Sequence, residues 1–426
     1  MNGFLRGTLL AALSGVALAL VGCGGGGSNG GSSGMPRYVT DLLADPGNTL
    51  IAMVTAPQDS NLYGSFAGDN VAFVVLACYP TTDNNPRPDY PLWTTGKVVP
   101  HMQTGSVAPL FADNTVRYPV VVFSHGYSGS PLSSDYISAL SVFASYGYVV
   151  IAPFHGDLRF SDLTIDNLGD AIAVASHLDN FTALQALRPL SISAALTLVL
   201  EHPQWQGHID PTQIGGFGAS MGGETMMLLG GAGLTTSYFD IGSSWKQVTH
   251  DLRIKAAVGY VPYFGQPVLP AFGRDQHGLD GIDLPFLGIS GTADTTAPIS
   301  EVKSGMSRLT GTRELVALSG VTHGFDVAST YDIFTWTFMF LDAEVRGNPA
   351  TQQQLSTMAS VAGGGDDNVV IFYNNPPGAP APTAIVQPLP LPGPYPVACS
   401  NVLQDFSRVG AGEDVTSYWE GNPGPP

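Results

Sequence analysis

The stretch QIGGFGASMGGETMMLL, residues 213–229, decides how this chain folds. Residues 213–217 form a short strand-like run, and Met221 opens a largely apolar segment of helical character that ends at Leu229. Between them Gly218, Ser220 and Gly222 spell G-x-S-x-G. A serine held at a sharp strand-to-helix turn sits in strained backbone geometry, so its neighbours must be small, and the following helix N-terminus favours negative charge. The chain has 52 glycines, so chance matches are expected, and residues 26–30 and 30–34 also fit the pattern. Neither has a strand before it or a helix after it. Context, not the motif, singles out Ser220.

Outward from this turn, short apolar runs alternate with helical segments. Strands are predicted at 71–78, 120–124, 148–153, 255–261, 285–290 and 314–318, and helices at about 133–146, 188–201, 299–309 and 330–345. This alternation predicts an α/β fold, a doubly wound and mostly parallel sheet with helices on both faces. Residues 158–187, 230–251 and 262–284 fall outside the alternation. They are expected as insertions over the active site, because open α/β sheets bind ligands beyond their strand ends. Residues 80–118 read as an irregular connection, and no internal repeat is present.

A serine hydroxyl is a poor nucleophile near neutral pH and needs a histidine base oriented by a carboxylate, which on this architecture follow in the order serine, acid, histidine. His323, in VTHGF (321–325), lies after the last predicted strand of the alternation, whereas His250 and His277 lie in insertions before the acid. Asp294, in SGTADTTAP (290–298), follows the strand at 285–290; Asp283 precedes that strand and Asp326 crowds His323. Two N–H donors are needed for the oxyanion. Met221 supplies one, and Tyr127, in SHGYSG (124–129), supplies the other. The Tyr127 side chain either flanks the acyl group or simply packs. His125 is read as a structural hydrogen-bonding residue, and His155 and Asp157 as bracing the loop, with substrate contact the alternative.

The 16 Lys+Arg against 34 Asp+Glu, a net charge of −18, exclude the basic footprint that nucleic-acid binding requires. Only 12% of residues are charged and the mean hydropathy is +0.15, which raises the question of a membrane protein. Beyond the N-terminus the longest strongly apolar stretch is 333–341, well short of the ~20 residues that span a bilayer. Residues 1–22 read as a secretory signal, with Arg6 ahead of an apolar run. LVGC (20–23) resembles a bacterial lipobox, which implies cleavage before Cys23 and lipidation of its thiol. Residues 23–37 form a Gly/Ser-rich tether, 38–346 the α/β domain, and 347–426 a C-terminal extension with a Pro-rich segment. The remaining cysteines, Cys78 and Cys399, are either bridged or two free thiols. The nine histidines show no zinc-ligand spacing and no dinucleotide fingerprint follows a strand, so no metal and no cofactor are expected.

The passages YPVVVFSHGYSG (118–129), ASYGYVVIAPFHGD (144–157), Arg188-Pro189 opening a helix, GFGASMGGE (216–224), GTADTTAP (291–298) and GVTHGF (320–325) carry a resemblance. The chain resembles the α/β-hydrolase superfamily, within it the predicted dienelactone hydrolases, platelet-activating-factor-acetylhydrolase-like and polyester-hydrolase-like enzymes. The resemblance implies hydrolysis of carboxylic esters through an acyl-enzyme on Ser220. Tyr127 and Met221 are similar to the acyl-binding floor of PET-degrading cutinases. Those enzymes carry a tryptophan where this chain has Tyr263 and Phe264, which are expected to substitute as substrate-binding residues. Ser220 stands where dienelactone hydrolases use cysteine, so that activity is not implied. A glycine after Cys23 implies sorting to the outer membrane, on its periplasmic or cell-surface face. The expected partner is an ester, small or polymeric, with a monomer touching the membrane only through its lipid. A polyester hydrolase and a non-catalytic binding lipoprotein on the same fold are the alternatives.

Overall fold

The structure is a computed structural model, and it describes residues 50–92, 97–102, 108–157, 178–238, 243–266, 269–325, 329–363, 367–372 and 380–400. The signal segment, Cys23, the tether, residues 158–177 of the first insertion, Asp326 and residues 401–426 lie outside the described residues.

Among the described residues a ten-stranded sheet organises the fold. Its strands are β1 (Ile51–Thr55), β2 (Asn70–Pro80), β3 (Tyr118–Ser124), β4 (Val149–Pro153), β5 (Ile209–Ala219), β6 (Ala256–Tyr260), β7 (Phe286–Gly291), β8 (Arg313–Leu318), β9 (Asp367–Phe372) and β10 (Val397–Cys399). They run in the order β1-β2-β4-β3-β5-β6-β7-β8-β9, with β10 pairing on β2. The centre from β4 to β8 is parallel, while β1, β2, β9 and β10 pair antiparallel. Every residue of β3 is buried, as a strand covered on both faces requires.

Side-chain alternation sorts the core into two layers. Val120, Val122, Val149, Ile151 and Ile214 face one layer with α2 (Leu178–Glu201), α3 (Met221–Leu229) and α4 (Ile299–Met306). Val121, Phe123, Val150, Phe217 and Ile289 face the other with α1 (Ser134–Ser145) and α5 (Thr330–Glu344). This is the α/β-hydrolase fold that the sequence predicts, and β5, α3, β7 and β8 carry the candidate site residues at their ends.

Four features depart from the sequence reading. β1 was not foreseen, and the connection at 80–118 contains a small hairpin, Tyr90–Leu92 with Lys97–Val99. Among the described residues α2 already runs from Leu178, upstream of the predicted start at Arg188, and Pro189 lies inside it. Its segment Phe181–Glu201 is long and apolar enough to cross a membrane by length and composition, although 67% of that window is buried inside the protein. The core helix of a soluble protein meets the same test. The fourth departure is the C-terminal extension, which after α6 (Pro349–Leu355) adds β9 beside β8 and β10 beside β2, all within the same sheet.

Before β10 the extension crosses the α1 and α5 layer. Leu389 N–H donates to Thr335 Oγ1 (3.0 Å), Gly393 N–H to Ser145 Oγ (2.7 Å) and Tyr395 N–H to the Ser145 carbonyl (3.0 Å). Cys399 pairs in register with Cys78, and the two form a disulfide across 321 residues of sequence. Closing so long a loop restricts the unfolded chain and contributes about 2–5 kcal/mol.

Glu314 on β8 is buried, and Oε2 has no hydrogen-bond partner among the described residues. Burial, followed by the nearby Glu344 carboxylate, pushes its pKa up to about 8. The unfolded carboxyl releases its proton near 4.5 and the folded one near 8, so stability is fully present below the lower value and falls as pH rises between them. Glu314→Gln is therefore expected to stabilise the protein by on the order of a few kcal/mol at pH 8 and hardly at all at pH 4. Urea unfolding at both pH values measures this; a gain of equal size at both would contradict it.

Candidate active site

Ser220 is the N-cap of α3 and holds φ 54° and ψ −119°, a positive-φ conformation that a non-glycine residue adopts only where surroundings impose it. The surroundings here are backbone. Ser220 N–H donates to the Tyr260 carbonyl at the end of β6 (2.9 Å), and the Ser220 carbonyl accepts from Gly223 (2.8 Å) and Tyr263 (3.0 Å). Two glycines make the turn possible. A Cβ on Gly218 would lie 2.1 Å from the Gly222 carbonyl oxygen, and one on Gly222 would lie 2.0 Å from that of Ser124.

His323 Nε2 lies 2.8 Å from Ser220 Oγ, and His323 Nδ1 lies 2.8 Å from Asp294 Oδ2. The other Asp294 oxygen accepts N–H bonds from Thr296 and Ala297, both at 2.8 Å, which fixes the carboxylate in the turn after β7. The three residues are buried, with the Asp294 side chain fully enclosed. Tyr260 Oη donates to the Gly324 carbonyl (2.7 Å) and so holds the loop that carries His323. The arrangement sets a hydroxyl against an imidazole whose far nitrogen faces a carboxylate. Chemically it can abstract the serine proton and hold the resulting imidazolium.

Beside Ser220 lies the loop after β3. A Cβ on Gly126 would come within 3.6 Å of Ser220 Cβ, so this loop and the N-terminus of α3 border one space. Met221 N–H belongs to the first turn of α3, where N–H groups have no intrahelical acceptor. The rings of Tyr127 and Phe181 meet edge to face at 6.0 Å, and Tyr127, Met221, Phe181, Tyr238 and Tyr263 share one buried apolar cluster.

The structure does not bring Phe264 to the site. Its ring packs in the core against Phe272 (5.7 Å between centroids) and Phe286 (6.0 Å), under Gly305 of α4. The expected substrate-binding role for Phe264 is thereby corrected: its ring is taken up by core packing against Phe272 and Phe286. Tyr263 stays close through its backbone bond to Ser220, but its hydroxyl is used on the Leu269 carbonyl (2.6 Å).

Sequence reasoning missed a polar stripe on α2. Thr182, Gln185, Arg188 and Ser191, spaced by three, are all buried and each meets a polar group near the site. Thr182 Oγ1 donates to Tyr238 Oη, Tyr238 Oη to Gln185 Oε1 (2.5 Å), and Gln185 Nε2 to Glu224 Oε1 (2.6 Å). Burial pushes the Glu224 carboxyl up to about 8, against the nearby Arg188 charge and the Gln185 hydrogen bond, so it is protonated at neutral pH. Ser191 Oγ donates to the Arg188 carbonyl and therefore accepts from His155 Nδ1 (3.0 Å), which leaves His155 Nε2 to accept from Ser124 Oγ (2.8 Å). The signal that would have exposed the stripe is the three-residue spacing of polar residues in an otherwise apolar helix.

The sheet order and the strand–turn–helix at Ser220 have the form of the α/β-hydrolase fold. Residues 95–165 match the family described as platelet-activating factor acetylhydrolase, isoform II, and the likeness to that group expected from the motifs is borne out. The matched segment holds β3, the loop beside Ser220, and β4 through Asp157; it ends before Ser220. The match supports a hydrolase acting on esters. A search of curated proteins finds no significant match to this sequence.

Proposed function

We propose that the protein is a serine carboxylic-ester hydrolase. Ser220 Oγ attacks the acyl carbonyl while His323 Nε2 takes its proton. The Tyr127 and Met221 N–H groups receive the oxyanion, and collapse expels the alcohol, protonated by His323. Water, deprotonated by His323, then releases the acid from the acyl-Ser220 ester. Asp294 keeps His323 in the tautomer that presents Nε2 to the serine and stabilises the imidazolium. The observation that carries this reading is the buried file from Ser220 Oγ through His323 to Asp294, with 2.8 Å at both contacts.

The reading extends to location. The lipobox-like LVGC (20–23) supports a lipid anchor on Cys23, Gly24 after it supports sorting to the outer membrane, and the Cys78–Cys399 disulfide supports an exported, oxidising compartment. A series of p-nitrophenyl esters of increasing acyl length tests the activity and defines the acyl preference. Turnover of at least one soluble ester is expected, and none across the series would refute the hydrolase reading. Acid release from polyester film under the same conditions extends the substrate class to polymers, whereas turnover of soluble esters alone limits it to small molecules.

A further inference from the structure

The buried ion pair Arg188–Asp157 stands outside the proposed catalytic residues, yet among the described residues its side-chain hydrogen bonds beyond the pair itself reach the loop that carries Tyr127. Arg188 of α2 and Asp157, beyond the end of β4, are each almost fully enclosed. Arg188 Nε donates to Asp157 Oδ1 (3.0 Å) and Nη2 to Oδ2, a forked contact that only a guanidinium makes. Its remaining donors turn to backbone: Nη1 to the His125 carbonyl (2.7 Å) and Nη2 to the Gly126 carbonyl (3.2 Å). Asp157 Oδ2 in turn accepts from Ser128 N–H (2.8 Å). Residues 125, 126 and 128 are thus tied to one ion pair, and Tyr127 is the residue between them.

The Gly126 carbonyl and the Tyr127 N–H belong to the same peptide unit. In a planar trans peptide the C=O and N–H point in opposite directions, so fixing one fixes the other. Three donors converge on the Gly126 carbonyl: Arg188 Nη2, Gly129 N–H (3.2 Å) and His125 Nδ1 (2.8 Å). His125 Nε2 accepts from the His155 N–H (3.3 Å), which leaves the proton on Nδ1 as that third contact requires. Burial, followed by the Arg188 charge, lowers the His125 pKa to about 4, so the ring keeps this neutral form at working pH.

We propose that Arg188 and Asp157 are positioning residues for the oxyanion site: together they lock the Gly126–Tyr127 peptide so that the Tyr127 N–H is presented to the oxyanion formed at Ser220. The proposal rests on the serine-hydrolase reading and adds to it a dedicated buried brace. It accounts for the charged Arg188 and Asp157 and the polar His125 being enclosed where each would otherwise be costly.

The test compares the full-length wild type with Arg188→Lys, which keeps the charge and loses the fork, using a p-nitrophenyl ester. Active sites are counted by a phosphonate burst, so rates refer to folded, reactive serine. The proposal predicts a kcat lower by roughly 10- to 100-fold with KM within about threefold, as for a misplaced transition-state donor. Affinity for an alkyl trifluoromethyl ketone, which adds to the serine and forms the tetrahedral oxyanion, falls by the same factor. An unchanged kcat per active site, or a loss confined to the number of active sites, overturns the proposal and leaves a merely structural pair. If the lysine variant does not fold, Asp157→Asn, of the same shape, is read by the same criteria. A wild type without turnover overturns the hydrolase reading itself, a result distinct from an active wild type whose Arg188 variant is equally active.

Discussion

Ser220→Ala is expected to lower ester turnover by on the order of 10⁵- to 10⁶-fold while the protein stays folded. The separation of activity from stability follows from how the turn is held. The strained φ at this position is imposed by the backbone bonds to Tyr260, Gly223 and Tyr263, and all three survive the substitution. Only the hydroxyl contact to His323 is lost. Adding His323→Ala to this variant is expected to cost little more, because groups that act as one unit are not additive. Rate measurements on the single and double variants, with circular dichroism to confirm folding, decide the matter. A folded Ser220→Ala protein retaining more than about 1% of turnover would assign the chemistry to another residue, and a further large loss in the double variant would separate His323 from Ser220.

The largest expected effect on stability lies two residues away. A Cβ at Gly222 would sit 2.0 Å from the Ser124 carbonyl oxygen and 2.7 Å from its carbon, both backbone atoms at the end of β3. No rotamer relieves that contact, so α3 must move away from β3. Gly222→Ala is expected to destabilise the fold by about 3 kcal/mol or more, with loss of activity because the displaced turn carries Ser220. Gly207→Ala is the control: a Cβ there meets nothing within 4 Å, and its effect should stay within about 0.5 kcal/mol. Chemical denaturation of both variants measures the contrast. Equal stability of the two would mean that β3 and α3 do not approach as closely as the turn requires.

The sequence made the centre of the molecule legible because local and long-range demands agree there. α3 spans Met221–Leu229 as read, β3 gains two residues at its start, and Ser220, Asp294 and His323 meet in the order that strand ends dictate. The parts that were not legible are those where local pattern carries little information. α2 is apolar almost all round, so no amphipathic boundary sets off the turns before Arg188, which opens the predicted helix but sits within the observed one. β10 is three residues long and gains its place from pairing with β2 and from the disulfide, not from its own composition. Phe264 is an aromatic residue just past a strand end, where inward and outward rings look alike in sequence. Arg188 shows why a site can exceed its motif: its partners at 125, 126 and 157 are set by the packing of α2 on the sheet.

The measurement that bears most directly on a nucleophilic Ser220 is covalent. A p-nitrophenyl alkylphosphonate, incubated with the full-length protein and followed by peptide mass mapping, reports which side chain attacks a tetrahedral ester analogue. The account predicts stoichiometric phosphonylation of Ser220 with release of one p-nitrophenol per chain, abolished in Asp294→Ala/His323→Ala. An unlabelled Ser220, or label on a different residue, would contradict it.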